Sequence, residues 1–567
     1  MNTFVALLAG VTVAACAADP TPPRDDPEPP PTPISPTVEF LSPTQHLSRA
    51  SIALRGVRPS LADLKAVDAD PAQLPAIIDR YLGSPLFGET IKELHNETLL
   101  FRVEQPNMTM PDLGVLAGMT ASQMNGSILE EPLRLIEDIV MSDQPYTKIV
   151  TSDYTMADRA VATVWGLPHA GAPNAWERTP WPDGRGNAGI LSSTALYFRW
   201  RSNGDNYNRG RANVISRALL CHDFLGADIA VDTTIDLSDP DVVANAVVAN
   251  SSCAGCHQTL DPLASYLFRF RGNIVTANIA AFPVPYYTPE TADRWQRTNK
   301  RPPLFFGEAA EGLAGLGARI AADPRFARCA AMHFASYLSE VREDDVSLAW
   351  VARLQAAFVA SGFNAKQLAK AVVLSDEFRV SHDTDAALAD HLVGYQKLRP
   401  EQLSRVLTDL TGFKWMVDSP LRLRLPFGIA DLLTGDFVGF RVLAGGIDSF
   451  FVTQPVHTMN ATSSLVTQQA AAAAADFVVE RDAAAAAADR KLFVAAAVTD
   501  TDEVNVRAQL VHLHGRIFGE LLTPTSPEID ESYDLFREAL ASAGGGPRRA
   551  WKLTLTGLLA DVRSLYY

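Results

Sequence analysis

Cys253-Ala254-Gly255-Cys256-His257 places two thiols three residues apart, with an imidazole directly after the second. Each thiol can add across one vinyl group of a porphyrin, and the histidine can then ligate its iron. This is the attachment spacing for a c-type haem. Two other chemistries use the same residue types. A thioredoxin-like redox pair needs a strand before the first cysteine and a helix opening at it. Here Val242 to Asn250 is rich in Ala, Val and Asn and reads as helix or loop. A zinc knuckle needs a fourth ligand and usually a second close pair. The other cysteines, Cys16, Cys221 and Cys329, form no such pair. The expectation is one covalent haem c on Cys253 and Cys256, with His257 as proximal ligand and its second ring nitrogen donating to a backbone carbonyl.

Composition sets the surroundings. The chain has 567 residues, 47% of them hydrophobic and 20% charged, which describes an ordinary globular protein. With 49 basic against 65 acidic residues the net charge is −16, the wrong sign for a nucleic-acid partner. A redox partner protein remains compatible with that charge.

The first residues read as an address. Phe4 to Ala15 is short and apolar and ends Val13-Ala14-Ala15-Cys16. It is too short to span a bilayer, and small residues before a cysteine suit a lipoprotein signal peptidase. No Lys or Arg precedes it, so the usual basic start is missing. The expectation is a lipid on Cys16 and an outer-membrane lipoprotein, touching the membrane through that anchor alone. An ordinary cleaved signal with an incidental Cys16 is the other reading. From Asp19 to Pro43 the chain is dominated by Pro, Asp and Thr. Such a segment favours extended polyproline II and acts as a tether, at about 3.1 Å per residue. In an oxidising envelope the remaining thiols, Cys221 and Cys329, are expected to form a disulfide closing a long loop around the motif, or else to be two buried free thiols.

Most of the body has apolar residues at helical spacing. Helices are expected over Leu47–Leu54, Ser60–Val67, Ala72–Leu82, Glu130–Met141, Ala309–Ala322, Phe326–Val341, Leu348–Ser361, Ala365–Phe378, Val504–Leu522 and Arg549–Tyr567. Val164 to Gly189 reads as a Trp/Pro/Gly-rich loop. Ala470 to Asp489 reads as an Ala-rich surface helix, and Asp261-Pro262 as the point where the chain turns away from the motif. Pro43-Thr44-Gln45-His46-Leu47-Ser48-Arg49 echoes Pro400-Glu401-Gln402-Leu403-Ser404-Arg405. Ser84-Pro85-Leu86-Phe87, Ser375-Asp376-Glu377-Phe378 and Asp561-Val562-Arg563-Ser564-Leu565 end three helices alike, a hint of repeated modules. The expected fold is mainly α: a signal peptide (1–16), a Pro-rich tether (17–44), an N-terminal helical domain (45–185), a haem c-binding module (186–382) and a C-terminal helical domain (383–567).

Five segments carry a resemblance: Gln144-Pro145-Tyr146-Thr147-Lys148 through Asp153-Tyr154-Thr155-Met156; Arg185-Gly186-Asn187-Ala188-Gly189-Ile190-Leu191; Ser252 to Leu263; Asp323-Pro324-Arg325-Phe326-Ala327-Arg328-Cys329; and Leu374-Ser375-Asp376-Glu377-Phe378-Arg379. Over Leu47 to Arg379 the chain resembles the large secreted cytochrome-c-like proteins described from planctomycetes and myxobacteria, built from domains of unknown function around one CxxCH. The resemblance is specific around the motif and weak elsewhere. It implies a cytochrome-c-like haem module, supports pairing Cys221 with Cys329, and implies no particular activity.

The sixth ligand would decide function: Met suits electron transfer, His lowers the potential, and an open face permits peroxide or gas chemistry. Met156 leads, because its segment recurs with the haem module in the resembled proteins. Met332, His333 and His169 follow. Arg199, Arg201, Arg209 and Arg211 lie in one polar stretch and could bind haem propionates. His512 and His514 are badly spaced for a metal on a helix, and His457 and His382 read as isolated. No nucleophile elbow or phosphate loop is present, and no catalytic residues are assigned. The sequence therefore points to single-electron transfer in the cell envelope. A haem-dependent enzyme and a surface scaffold with structural haem are the rivals.

Overall fold

The computed structural model describes residues 37–104, 110–203, 206–226, 234–236, 238–384, 394–417, 430–435 and 439–567. The predicted lipid site at Cys16 and most of the tether lie outside these residues. The tether prediction runs too far, however. Val38–Phe40 forms β1, antiparallel to β4 (Val380–Asp383), because Val-Glu-Phe has strand propensity and finds a partner. Ser42 then opens the first helix with a capping box, accepting from the Gln45 backbone.

The chain is mainly α. The helices are α1 (Pro43–Arg55), α2 (Leu61–Ala69), α3 (Leu74–Leu82), α4 (Pro85–Leu99), α5 (Ala121–Ile128), α6 (Glu131–Met141), α7 (Arg159–Trp165), α8 (Thr194–Arg199), α9 (Arg209–Leu220), α10 (Pro240–Ala249), α11 (Ser251–Ser265), α12 (Gly312–Ala322), α13 (Pro324–Ser339), α14 (Leu348–Ala360), α15 (Ala365–Val373), α16 (Asp376–Arg379), α17 (Pro400–Thr411), α18 (Ala461–Ala484), α19 (Glu503–Ile517), α20 (Pro527–Ser542), α21 (Pro547–Ala560) and α22 (Val562–Leu565). Among the described residues the strands make three antiparallel pairs: β1 with β4, β2 (Thr155–Ala157) with β3 (Glu177–Thr179), and β5 (Met416–Val417) with β6 (Ala430–Asp431). Among the described residues no helix is long and apolar enough to cross a membrane.

Two apolar cores organise these elements. The first runs from Leu47 to Phe378 without a break at 185/186, so the helices before the motif and those around it share one interior. The second is built from residues 398–567, with Ile52 of α1 reaching into it. The three similar helix ends do the same local job. Ser84, Ser375 and Asp561 each cap a new helix one or two residues after the previous one stops, turning the chain sharply.

Two local expectations are corrected. Pro262 does not turn the chain away; α11 continues to Ser265 with Pro262 inside it. Proline costs that helix one backbone hydrogen bond, to the carbonyl of exposed Gln258 where water can replace it. The Ala-rich helix is exposed along one face only. Ala470, Ala471, Ala474, Ala475, Val478 and Val479 are buried in the second core, where α18 packs along α21. Small side chains let two helix backbones approach closely, so the alanine run is an interior seam.

Candidate functional site

The Asn250 side chain caps α11, accepting from the backbone N–H of Ser252 and Cys253, so the motif occupies the first two turns. Cys253, Cys256 and His257 stand at i, i+3 and i+4 and therefore share one helix face. Both thiols are free and half-buried. The His257 side chain is 22% exposed. Its Nδ1 lies 3.0 Å from Oδ1 of Asp261, one turn on. The expected backbone-carbonyl partner is thus replaced by a carboxylate, because position i+4 on a helix lies directly under the ring.

Asp261 is itself held. Its side chain is 0% exposed and takes two hydrogen bonds from Arg209 on α9, Nε to Oδ1 at 2.6 Å and Nη2 to Oδ2 at 3.1 Å. The Asn299 amide donates to its backbone carbonyl. Burial alone would raise the Asp261 carboxyl. Hydrogen bonds and charge from His257 and Arg209 outweigh it and hold the group below the usual carboxylate range. The result is an Arg209–Asp261–His257 relay that fixes the ring and leaves Nε2 without a hydrogen-bond partner among the described residues. α10 packs on α11 beside it. Two free thiols and an unengaged Nε2 on one helix face fit a covalently held haem.

The other expected haem contacts lie elsewhere. Met156 is buried on β2, which packs on α6, α7 and β3, whereas α11 packs chiefly on α9, α10 and the turn at Tyr266–Arg269. Met332 is partly buried against the first core, and the His169 ring faces the Ala175 carbonyl. Arg199 donates to the carbonyls of Leu100 and Ser449. Arg211 donates to those of Trp200, Tyr197, Arg271 and Gly272. Those two guanidiniums are spent on backbone and are corrected from propionate ligands to structural clamps. Of the arginine cluster, Arg209 belongs to the site, through Asp261. His457 and His382 are not isolated: they face Glu340 and Glu39. His514 is buried between Glu520 and Ser532.

Cys221 and Cys329 are joined in a disulfide that ties the end of α9 to α13. His333 lies against it, and sequence reasoning missed this grouping; the signal was Cys329 and His333 at i, i+4 on one helix. A cavity of about 690 Å³ was also missed. It is lined by residues from the N-terminal helices and from α17 onward, among them Glu93, Arg102, Glu130, Glu401 and Arg405. Arg102 pairs with Glu130, and Arg405 with Glu93 at 2.6 Å, while burial raises the Glu401 carboxyl. Its residues lie hundreds of positions apart, and it does not include the cysteine motif.

Comparison with known proteins adds one match: residues 306–378 fit a family model described as a protein of unknown function, DUF1585. That domain is found in cytochrome-c-like proteins. The matched stretch covers α12 to α15 and most of α16, including Cys329 and His333, and begins after the motif. No curated protein and no solved structure matches the chain.

Proposed function

We propose that this is a covalent haem c protein of the cell envelope that passes single electrons to a redox partner protein. Cys253 and Cys256 would carry the thioethers and His257 would ligate the iron. The observation that carries the reading is the CxxCH face of α11, with free thiols and a histidine whose Nδ1 is already fixed. The DUF1585 match supports a cytochrome-like setting. When bound, haem supplies the one-electron couple. The chain's own part is to hold the ring of His257, through Asp261 and Arg209, and to shield one side of the site with α9 and α10. Lipidation at Cys16 and outer-membrane attachment belong to the same proposal.

The Asp261 carboxylate favours a second reading, a haem-dependent enzyme. A carboxylate on the ligand's far nitrogen makes the imidazole more basic than a carbonyl would, which suits peroxide chemistry better than a high-potential carrier.

A UV-visible spectrum of protein made with a haem-attachment system separates the two. Low-spin c-type bands with a Met–iron charge-transfer band support the carrier. A high-spin spectrum that shifts with peroxide or carbon monoxide supports the enzyme. Denatured protein that releases its haem, or carries none, refutes covalent attachment.

A further inference from the structure

The Cys221–Cys329 bridge has a third member. His333 Nε2 lies 3.2 Å from Cys329 Sγ and 3.8 Å from Cys221 Sγ. The three donor atoms fall within 4.8 Å of one another. The other ring nitrogen, Nδ1, is 2.6 Å from Oε1 of Glu343. Cys329 and His333 are buried one turn apart on α13, while Cys221, at the end of α9, is exposed. His333 and Glu343 also line a cavity of about 520 Å³.

We infer that this cluster is a redox-gated zinc site: closed as a disulfide, and a Cys2His site once the bridge is reduced. Tetrahedral zinc, with bonds of about 2.3 Å to sulfur and about 2.0–2.1 Å to nitrogen, places nitrogen and sulfur ligands roughly 3.5 Å apart. The two N–S separations already bracket that value; cleavage of the S–S bond lets the sulfurs spread to receive the ion, and His333 Nε2 gives up its proton to solvent and its contact with the Ala218 carbonyl, 3.2 Å away, as it turns to the metal. A dithiol reductant gives two electrons and two protons to the bridge and closes to its own disulfide. Both cysteine thiols then lose their protons to solvent as two Zn–S bonds form, and His333 Nε2 gives the third. Glu343 holds the ring from behind, the usual arrangement for a zinc-bound histidine. Three protein ligands leave a fourth position for water or a small molecule from the adjoining cavity. Exposure of Cys221 gives the reductant access, and the buried Cys329–His333 pair gives the ion a preformed half-site.

The test uses the full chain with Cys253→Ser and Cys256→Ser, so that the motif thiols cannot bind metal. The chain is reduced, freed of reductant and titrated with zinc against a chromophoric chelator. The proposal expects one zinc per chain after reduction and none before. With cobalt in place of zinc it expects thiolate charge-transfer and tetrahedral d–d bands. His333→Ala should remove stoichiometric binding, and Glu343→Gln should weaken it by about 10- to 100-fold. Both variants leave the disulfide able to form, so their folding is checked in the oxidised state by far-UV circular dichroism. Absence of stoichiometric metal, equal affinity with His333 replaced, or loss of helical signal on reduction would each overturn it.

Discussion

His257 works through a residue the motif does not contain. The CxxCH spacing is legible because all its members lie within two helical turns. Asp261 was within reach of the same reading, since i+4 on a helix is a fixed neighbour, but the assumed break at Pro262 hid it. Arg209 was not, because 52 residues separate it from Asp261 and only packing of α9 on α11 joins them. In the proposed haem protein, Asp261→Asn should leave thioether attachment intact and remove the negative charge behind His257. The midpoint potential then rises, on the order of 60 mV for a tenfold change in a one-electron equilibrium; a redox titration that finds no rise removes the relay from the electronic account. Glu131 gives a second residue-level prediction. It is fully buried, hydrogen-bonded by Thr155 and Ser193, and pushed up to about 7 by burial, against an ordinary value of 4.5. Its folded value lies above its unfolded one, so the folded chain holds this proton more tightly. The contribution is whole below pH 4.5 and is lost as pH rises to about 7, about 3 kcal/mol in all. Glu131→Gln should flatten that stretch of the stability–pH curve and make the chain more stable than the parent at pH 8 in urea titrations.

Helix positions follow from hydrophobic period and caps: α6 and α14 fall within one residue of their expected spans, while α19 stops five residues short of its expected end. Which face a helix buries is legible only when its residues differ around the circumference. In α18 they do not: alanine occupies core and solvent positions alike, so the periodic signal vanishes where the packing is closest. Ala474 is buried along the α18–α21 seam, whereas Ala472 on the same helix is exposed. Ala474→Leu should therefore destabilise the chain by about 1–3 kcal/mol through overpacking. Ala472→Leu should stay within about 0.5 kcal/mol of the parent. Equal midpoints for the two in urea would show that the seam tolerates volume and that α18 is not held closely.

At the scale of the whole molecule the two cores meet through charge as well as through Ile52. Arg399, at the start of α17, pairs with Glu97 of α4 and with Glu340 at 3.3 Å. Arg405, the sixth residue of α17, grips Glu93 through both terminal guanidinium nitrogens, at 2.6 and 2.8 Å. Arg58 reaches from the N-terminal side to the carbonyls of Arg563 and Ser564. None of this was legible in the sequence, because the partners lie from 59 to more than 500 residues away and a lone arginine carries no sign of its acceptor. The ions are buried, so the pairs need not stabilise the chain relative to apolar residues. Removing one member is another matter, since it strands a charge out of water at a cost of about 3–5 kcal/mol. Arg399→Met strands Glu97, while Glu340 keeps His457 and the Tyr567 hydroxyl as partners. Glu97 already sits near 7 through burial, with Arg399 the cation that draws it down, so without that cation it protonates more readily. The cost should therefore be largest at pH 8 and should shrink as pH falls toward 5, where a neutral carboxyl no longer suffers from burial. Because the lost contact lies between the cores and not within either, urea unfolding of the variant at pH 8 should resolve into two steps where the parent shows one. Unfolding that stays a single transition, merely shifted, would mean that the apolar contact at Ile52 and the other bridging contacts are enough to couple the cores.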